Sequence, residues 1–275
     1  MTSMTTPHHW APVSRCDVAS LTVTVLGSCG AWPEPGRACS GLVVEADGAA
    51  VLLDLGWGTL PRLLTHLDSA VAAGLEAVVI THDHPDHTGD LAGLLRARWY
   101  AGRDLPPLPL FCPSAVFERL AAVEKGGGLA MAHVFDWRGT PDTAEVGAFH
   151  LSLRQLPHYV DNVGVRVTSG AGTIAYTGDT GPDDAVAELG RDADVFIVDA
   201  TDRHQQDGVP SAEAGTPAYN LTAAEAGQLA ERARARRLLL THFWPGNHRE
   251  RSRQDAAAHF SGDVLLADEG LSVTV

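Results

Sequence analysis

Short runs of branched apolar residues recur along the chain, each ended by glycine, proline or a polar loop. "LTVTVLG" and "GLVVEADGAAVLLDLG" predict a strand and a hairpin that turns at Asp47-Gly48. "TLPRLLTHLDSAVAAG" predicts a helix with an early proline that runs on to Gly74, and "EAVVITH" a buried strand. "DLAGLLRARWYAG" reads as a helix capped by Asp90, and "DLPPLPLFCP" leads through a short strand to a helix over Ser114 to Glu124. Strands follow near His150 to Arg154 and in "VGVRVTS", "GTIAYTGD" and "DVFIVDAT". "NLTAAEAGQLAERARARR" is a helix with Thr222 and Glu225 as a capping box; it feeds the strand "LLLTH", and "DVLLADEGLSVTV" supplies two short strands at the end. Strands dominate both ends while helices intervene in each half. That pattern predicts an α/β protein of two sheets with helices outside them.

Composition narrows the setting. The 275 residues carry 20 Lys plus Arg against 34 Asp plus Glu, a formal charge of −14, which argues against a broad basic surface for nucleic acid. Cys16, Cys29, Cys39 and Cys112 form no CxxC pair, so neither a zinc knuckle nor a disulfide scaffold is indicated, and the cytoplasm is the default. Residues 1–20 lack the basic start and apolar run of a signal peptide and read as a disordered leader, with His8 and His9 as loose surface residues. No apolar run approaches a membrane span. With no linker or repeat in view, residues 21–275 are expected to form a single domain.

The chemistry sits where apolar runs end. "VVITHDHPDHTGD" places His82, His84, Asp86 and His87 directly after a buried strand, and so many ionisable groups are costly there unless something binds them. His82 and His84 can converge on one metal if the chain leaves the strand as a tight loop, while Asp86 and His87 lie further on, placed for a second ion. Imidazole with carboxylate suits zinc or its first-row neighbours. Three further strand ends supply more candidates: His158 in "LPHYVDN", Asp179 in "AYTGDTG" and His242 in "LLLTHFWPG". A carboxylate shared by two cations holds them close, and water between them is acidified toward hydroxide. The reaction class expected from this set is hydrolysis.

On these residues the chain resembles the metallo-beta-lactamase-fold hydrolases, and within them the ribonuclease Z-like branch, which includes atypical cyclic-nucleotide phosphodiesterases. The resemblance runs from Leu21 to Val275 through "LGSCGAWPEPGRACSG", "LLDLGWGT", "THDHPDHTGD", His158, "YTGDT", "VDAT" and "LLLTHFWPG". It implies a four-layer αββα sandwich with the site at one edge between the sheets. It also implies that His82, His84 and His158 hold one metal, that Asp86, His87 and His242 hold a second, and that Asp179 bridges them. Two Zn²⁺ are the implied pair, with Mn²⁺ or Fe as the alternatives.

Two departures bear on the substrate. The branch usually has glutamate where "VDAT" has Asp199 and histidine where this chain has Asn220, the pair that orients and protonates the leaving side of a phosphodiester. An amide shuttles no proton at neutral pH, so Asn220 reads either as a positioning group or as a plain residue ahead of the helix cap. Members that process transfer RNA carry a protruding arm, placed in the bacterial form between the third histidine ligand and the bridging aspartate. Here the 20 residues from Tyr159 to Gly178 have room for two strands and a turn. A small-molecule substrate is therefore expected, with no structured nucleic acid and no membrane partner.

Around the pocket, Arg37 and Ser40 could meet an anionic substrate, with a salt-bridged surface arginine as the other reading of Arg37. Tyr159 and Trp244 adjoin proposed ligands and could form stacking walls. "ATDRHQQDGVPSAEAGTPAYN" could cover the site or contact another subunit of a homodimer; His204 within it, and His248 beyond, read as a proton donor and a substrate contact or as exposed loop histidines. The expected activity is a dinuclear metal-dependent hydrolase of a phosphodiester such as a cyclic nucleotide. A lactone, thioester or amide hydrolase is the second reading, and a non-catalytic metal-binding scaffold the third.

Overall fold

The computed structural model describes residues 20–124, 128–205 and 218–275. Of the expected leader only Ser20 is described; His8, His9 and Cys16 lie outside the described residues, as does most of the polar loop after Gln205. One seven-stranded sheet comprises β1 (Leu21–Gly27), β2 (Gly41–Ala46), β3 (Ala49–Leu53), β4 (Leu75–Val79), β5 (Leu108–Phe111), β6 (Phe135–Gly139) and β14 (Ser272–Thr274), in the order β14-β1-β2-β3-β4-β5-β6. The other comprises β7 (Thr143–Val146), β8 (Phe149–Leu156), β9 (Asn162–Ser169), β10 (Gly172–Tyr176), β11 (Val195–Asp199), β12 (Arg237–Thr241) and β13 (Asp263–Leu266), in the order β13-β12-β11-β10-β9-β8-β7. The helices are α1 (Leu60–His66), α2 (Pro85–Thr88), α3 (Leu91–Ala101), α4 (Ser114–Val123), α5 (Gly128–Val134), α6 (Asp184–Leu189), α7 (Ala223–Ala233) and α8 (Arg249–Ala257).

Side-chain alternation builds the four layers. Val51 and Leu53 of β3, Val79 of β4, Ile174 and Tyr176 of β10, and Val195 and Ile197 of β11 fill one core between the sheets. Their neighbours point the other way. Leu52 and Val78 pack with Leu63, Leu94 and Val116 beneath the first layer of helices, while Phe196 and Val198 pack with Val186, Leu229 and Ala256 beneath the second. Because both faces of the inner strands are covered, they read as unbroken apolar runs rather than as alternating ones. This is the αββα sandwich expected from the sequence.

Local chemistry sets the boundaries. The β2–β3 hairpin turns at Asp47 and Gly48, both at positive φ, as the paired Asp-Gly predicts. Thr222 and Glu225 form the expected capping box on α7. Two expectations are corrected. The first helix stops at His66 rather than Gly74, because the chain turns through positive φ at Asp68 and Ala72. Asp90 caps α1 instead of α3, its Oδ2 accepting the Leu60 backbone N–H at 2.9 Å. Strands β3 to β6 and β10 to β13 run parallel, so β3, β4, β10, β11 and β12 release their chains at carboxyl ends, where open parallel sheets place their sites.

Candidate metal centre

The loop after β4 leaves the sheet at Ile80 and starts α2 at Pro85, with His84 as its N-cap in an extended conformation. Proline suits that first helical position because its missing N–H would have no partner there. The single turn closes through His87 N to His84 O at 3.0 Å and Thr88 Oγ1 to His84 O at 2.9 Å. His82 and His84 are thus left on the extended side, with Asp86 and His87 on the turn. Glycine permits the neighbouring loops to close in: a Cβ on Gly30 would come within 2.6 Å of the His242 ring, and one on Gly56 within 2.0 Å of the Asp86 carbonyl.

These elements bring the seven expected ligands into two groups. His82 Nε2 lies 2.8 Å from His84 Nδ1, which lies 3.3 Å from His158 Nε2. Asp179 Oδ2 faces this group, 4.0 Å from His82 Nε2 and 3.9 Å from His158 Nε2. Its other oxygen, Oδ1, faces the second group, 3.2 Å from His87 Nε2 and 3.1 Å from His242 Nε2. Asp86 Oδ2 completes that group at 3.1 Å from His242 Nε2 and 3.7 Å from His87 Nε2. The Ala31 backbone N–H holds Asp86 Oδ2 from outside at 2.7 Å.

The outward nitrogens show why the inward ones are lone-pair donors. His87 Nδ1 donates to Asp54 at 2.7 Å and His158 Nδ1 to the Tyr219 carbonyl at 2.8 Å, and His242 Nδ1 is hydrogen-bonded with the Thr201 hydroxyl at 3.0 Å. His82 Nδ1 lies 2.9 Å from the Thr81 hydroxyl, which itself donates to Asp54 at 3.0 Å, so the hydroxyl is the acceptor from His82. With the protons of His82, His87 and His158 held outside, Nε2 of each offers its lone pair inward. His87 Nε2 and Asp179 Oδ1 are buried with no hydrogen-bond partner. Converging lone pairs of this kind fit divalent metal.

Electrostatics separates the two groups. Burial pushes His82 well below the usual histidine range, His84 down to about 4, and His158 down as well, so all three are neutral donors. Burial would depress His87 too, but Asp179, Asp54 and Asp86 outweigh it and hold His87 well above the usual range. His242 is raised against its own burial by Asp179 and Asp86. The same pairing outweighs burial at the carboxylates: His87 and His242 bring Asp86 down to about 2 and hold Asp179 well below the usual range. Where no metal neutralises the second group, a proton does.

Asp199 and Asn220 lie directly behind Asp179. Asp199 is fully buried; its Oδ1 accepts the Leu221 backbone N–H at 2.9 Å and its Oδ2 the Asn220 amide at 3.0 Å. The same Asn220 nitrogen reaches Asp179 Oδ2 at 3.3 Å. Burial, and after it the charge of Asp179, pushes Asp199 up to about 8. Tyr159 is 61% exposed and lays its ring over His84 and His158, at 4.6 and 4.5 Å between centroids, with Tyr219 behind it at 5.5 Å. Trp244 packs edge-on against Trp32 at 5.1 Å.

Arg37, Ser40, His204 and His248 make the following contacts. Arg37 spends its guanidinium on Asp268 and Glu269. Ser40 is buried and braces the metal loop through its backbone, its N–H donating to Asp86 O at 3.1 Å. His204 lies on a short 3₁₀ turn 4.0 Å from Asp202, and His248 is an exposed residue before α8 whose N–H donates to Gln205 at 3.1 Å.

Asp54, Thr201, Tyr219 and Arg203 had no role assigned from sequence. Asp54 was the most accessible of them, a lone charge at the end of the apolar run "VLLDLG". It is fully buried at positive φ and also accepts from Thr81 N and Tyr176 Oη, both at 2.8 Å.

The profile of the Beta-lactamase superfamily domain matches residues 49–243. An uncharacterised protein of Mycobacterium leprae is 34% identical over 92% of this chain and 88% of its own. The probable metallo-hydrolase YhfI of Bacillus subtilis is 30% identical over 91% of this chain and 98% of its own, and its crystal structure superposes with a TM-score of 0.80 over 94% of this chain and all of that one, at 26% identity. A ribonuclease Z of Mycobacterium bovis is 29% identical over 90% of this chain and 96% of its own.

Proposed function

The chain belongs to the beta-lactamase superfamily, as a metal-dependent hydrolase similar to ribonuclease Z, and from that premise we propose that it holds two zinc ions and hydrolyses a small phosphodiester such as a cyclic nucleotide. The observation that carries the reading is Asp179, whose two oxygens face two separate donor groups. His82, His84 and His158 would hold one ion, Asp86, His87 and His242 the other, with Asp179 shared. Such a pair supplies an acidified nucleophile and charge neutralisation at the phosphoryl oxygens.

The chain's own residues do the rest. Tyr159 offers a stacking face beside the first group, suited to a planar base. Asn220 orients Asp199 and Asp179 together. Asp199 accepts from the Asn220 amide and the Leu221 backbone, and Asn220 has no proton to shuttle near neutral pH, so the pair serves to position substrate rather than to supply the imidazole acid of the branch. The same feature favours the second reading, a lactone, thioester or amide hydrolase.

Residues 21–275 act in this reading as one catalytic domain in a cytoplasmic homodimer. No helix among the described residues is long and apolar enough to cross a membrane. The segment between His158 and Asp179 is the β9–β10 hairpin, and with the net charge of −14 this supports a small substrate rather than folded RNA. The test compares hydrolysis of bis-p-nitrophenyl phosphate, cyclic nucleotides and lactones by one zinc-loaded sample. Diester turnover supports the reading, and lactone turnover without it overturns the substrate assignment.

A further inference from the structure

Arg203 opens the 3₁₀ turn Arg203–Gln205, two residues after Thr201, whose hydroxyl holds His242. Its guanidinium carbon stands 4.7 Å from the centre of the Trp244 ring, and Trp244 rests in turn on Trp32. A guanidinium held over an indole is fixed in orientation while its in-plane N–H groups remain available. Other arginines of the chain are already engaged: Arg37 with Asp268, Arg119 with Asp83, Arg234 with Asp192 and Arg232 with Asp184. Among the described residues Arg203 makes no ion pair, and its Nε is buried without a hydrogen-bond partner.

Its position matters as much as its freedom. Trp244 follows the second-group ligand His242 by two residues, whereas Tyr159 lies on the first-group ligands His84 and His158. Asp86 and Asp179 face the donor groups, with Asp54 and Asp199 behind them. An anionic substrate gains from a cation fixed on the residue that stands two positions after the ligand His242.

We infer that Arg203 is a specificity-determining residue, a guanidinium set on Trp244 to receive an anionic oxygen pair of the substrate and to favour phosphoryl substrates over neutral esters or lactones. The inference deepens the phosphodiester reading and rests on it for the substrate turned over, though not for the anion bound. The planar fork matches two phosphoryl oxygens at once, which an ammonium cannot do.

The test is calorimetric titration of inorganic phosphate into the zinc-loaded wild type, Arg203→Ala and Arg203→Lys, with metal content measured in each. Arg203→Ala is expected to weaken phosphate binding roughly 10- to 100-fold, the range set by a hydrogen bond to a charged group, with Arg203→Lys in between. The ratio of kcat/KM for bis-p-nitrophenyl phosphate over p-nitrophenyl acetate should fall by about tenfold or more in Arg203→Ala. If Arg203→Ala loses metal, Arg203→Gln, which keeps a planar group without the charge, carries the same comparison. Unchanged phosphate affinity in a fully metal-loaded variant would overturn the inference. Arg203-dependent phosphate binding by a wild type that hydrolyses only neutral esters would instead overturn the phosphodiester reading and leave the Arg203 assignment standing.

Discussion

Asn220 donates its side-chain amide to Asp199 at 3.0 Å, directly behind the carboxylate that faces both donor groups. An amide in that place fixes a neighbour but moves no proton. If the chain hydrolyses phosphodiesters, Asn220→His, alone or with Asp199→Glu, should raise turnover of a diester with a poor leaving group by up to roughly 10²- to 10⁴-fold, the usual contribution of a positioned acid. An activated nitrophenyl diester should gain little, because its leaving group hardly needs a proton. Steady-state kinetics on both substrates checks this, and a flat response to the restored imidazole would count against the phosphodiester reading.

Asp179 and His242 should differ as metal ligands. Asp179→Ala removes the oxygen facing each group, so both metal positions should weaken together. His242→Ala removes a donor from the second group alone and should reduce the metal content from two equivalents toward one. Elemental analysis after dialysis distinguishes the two, and full dinuclear occupancy in Asp179→Ala would refute the shared role.

Acid should empty the groups in order. His87 and His242 sit above the usual histidine range when metal is absent, because burial is outweighed by Asp179 and its neighbouring carboxylates. His82, His84 and His158 sit below it through burial, His84 at about 4. A raised histidine keeps its proton at higher pH, so proton competes with metal there first as the pH falls. The second group should therefore release its ion at a higher pH than the first. Cobalt substitution followed by absorption across an acid titration should show two steps, and simultaneous loss would be the contrary result.

Asp54 holds His87 from behind and touches no expected substrate. Asp54→Asn keeps the volume but replaces an accepting oxygen with a donor against His87 Nδ1 and Tyr176 Oη. Metal affinity should drop by roughly 10- to 100-fold, the usual effect of losing a partner that orients a ligand. Each stranded buried donor should also cost on the order of 1–3 kcal/mol of stability. Metal titration and thermal unfolding read the two effects separately.

The sequence exposed the ligands because each ends an apolar run, and charge after "VVI", "AY" or "LLL" is conspicuous without any structure. It exposed α7 for a similar reason, since Thr222 and Glu225 are three apart and act locally. Asp90 shows the limit. Its spacing suits α3, yet its carboxylate turns to α1, a choice made by two helices packing together. Helix α8 was overlooked because its sequence, "RERSRQDAA", is almost wholly polar, with only Ser252 and Ala256 buried. Arg203 was hidden likewise, since its meaning depends on Trp244, which lies far along the chain.

His158 is steadied by the carbonyl of Tyr219, a group that every amino acid possesses. Point substitution at position 219 can therefore alter the aromatic wall beside Tyr159 while leaving the acceptor for His158 in place. The ligand is instead sensitive to the spacing between Tyr219 and Leu221, because Asp199 pins the Leu221 N–H and an inserted or deleted residue between the two would carry that carbonyl out of register. Mutational scanning at position 219 should find side chains exchangeable for metal content where an insertion beside it is not, so that the metal centre tolerates rewording there but not respacing.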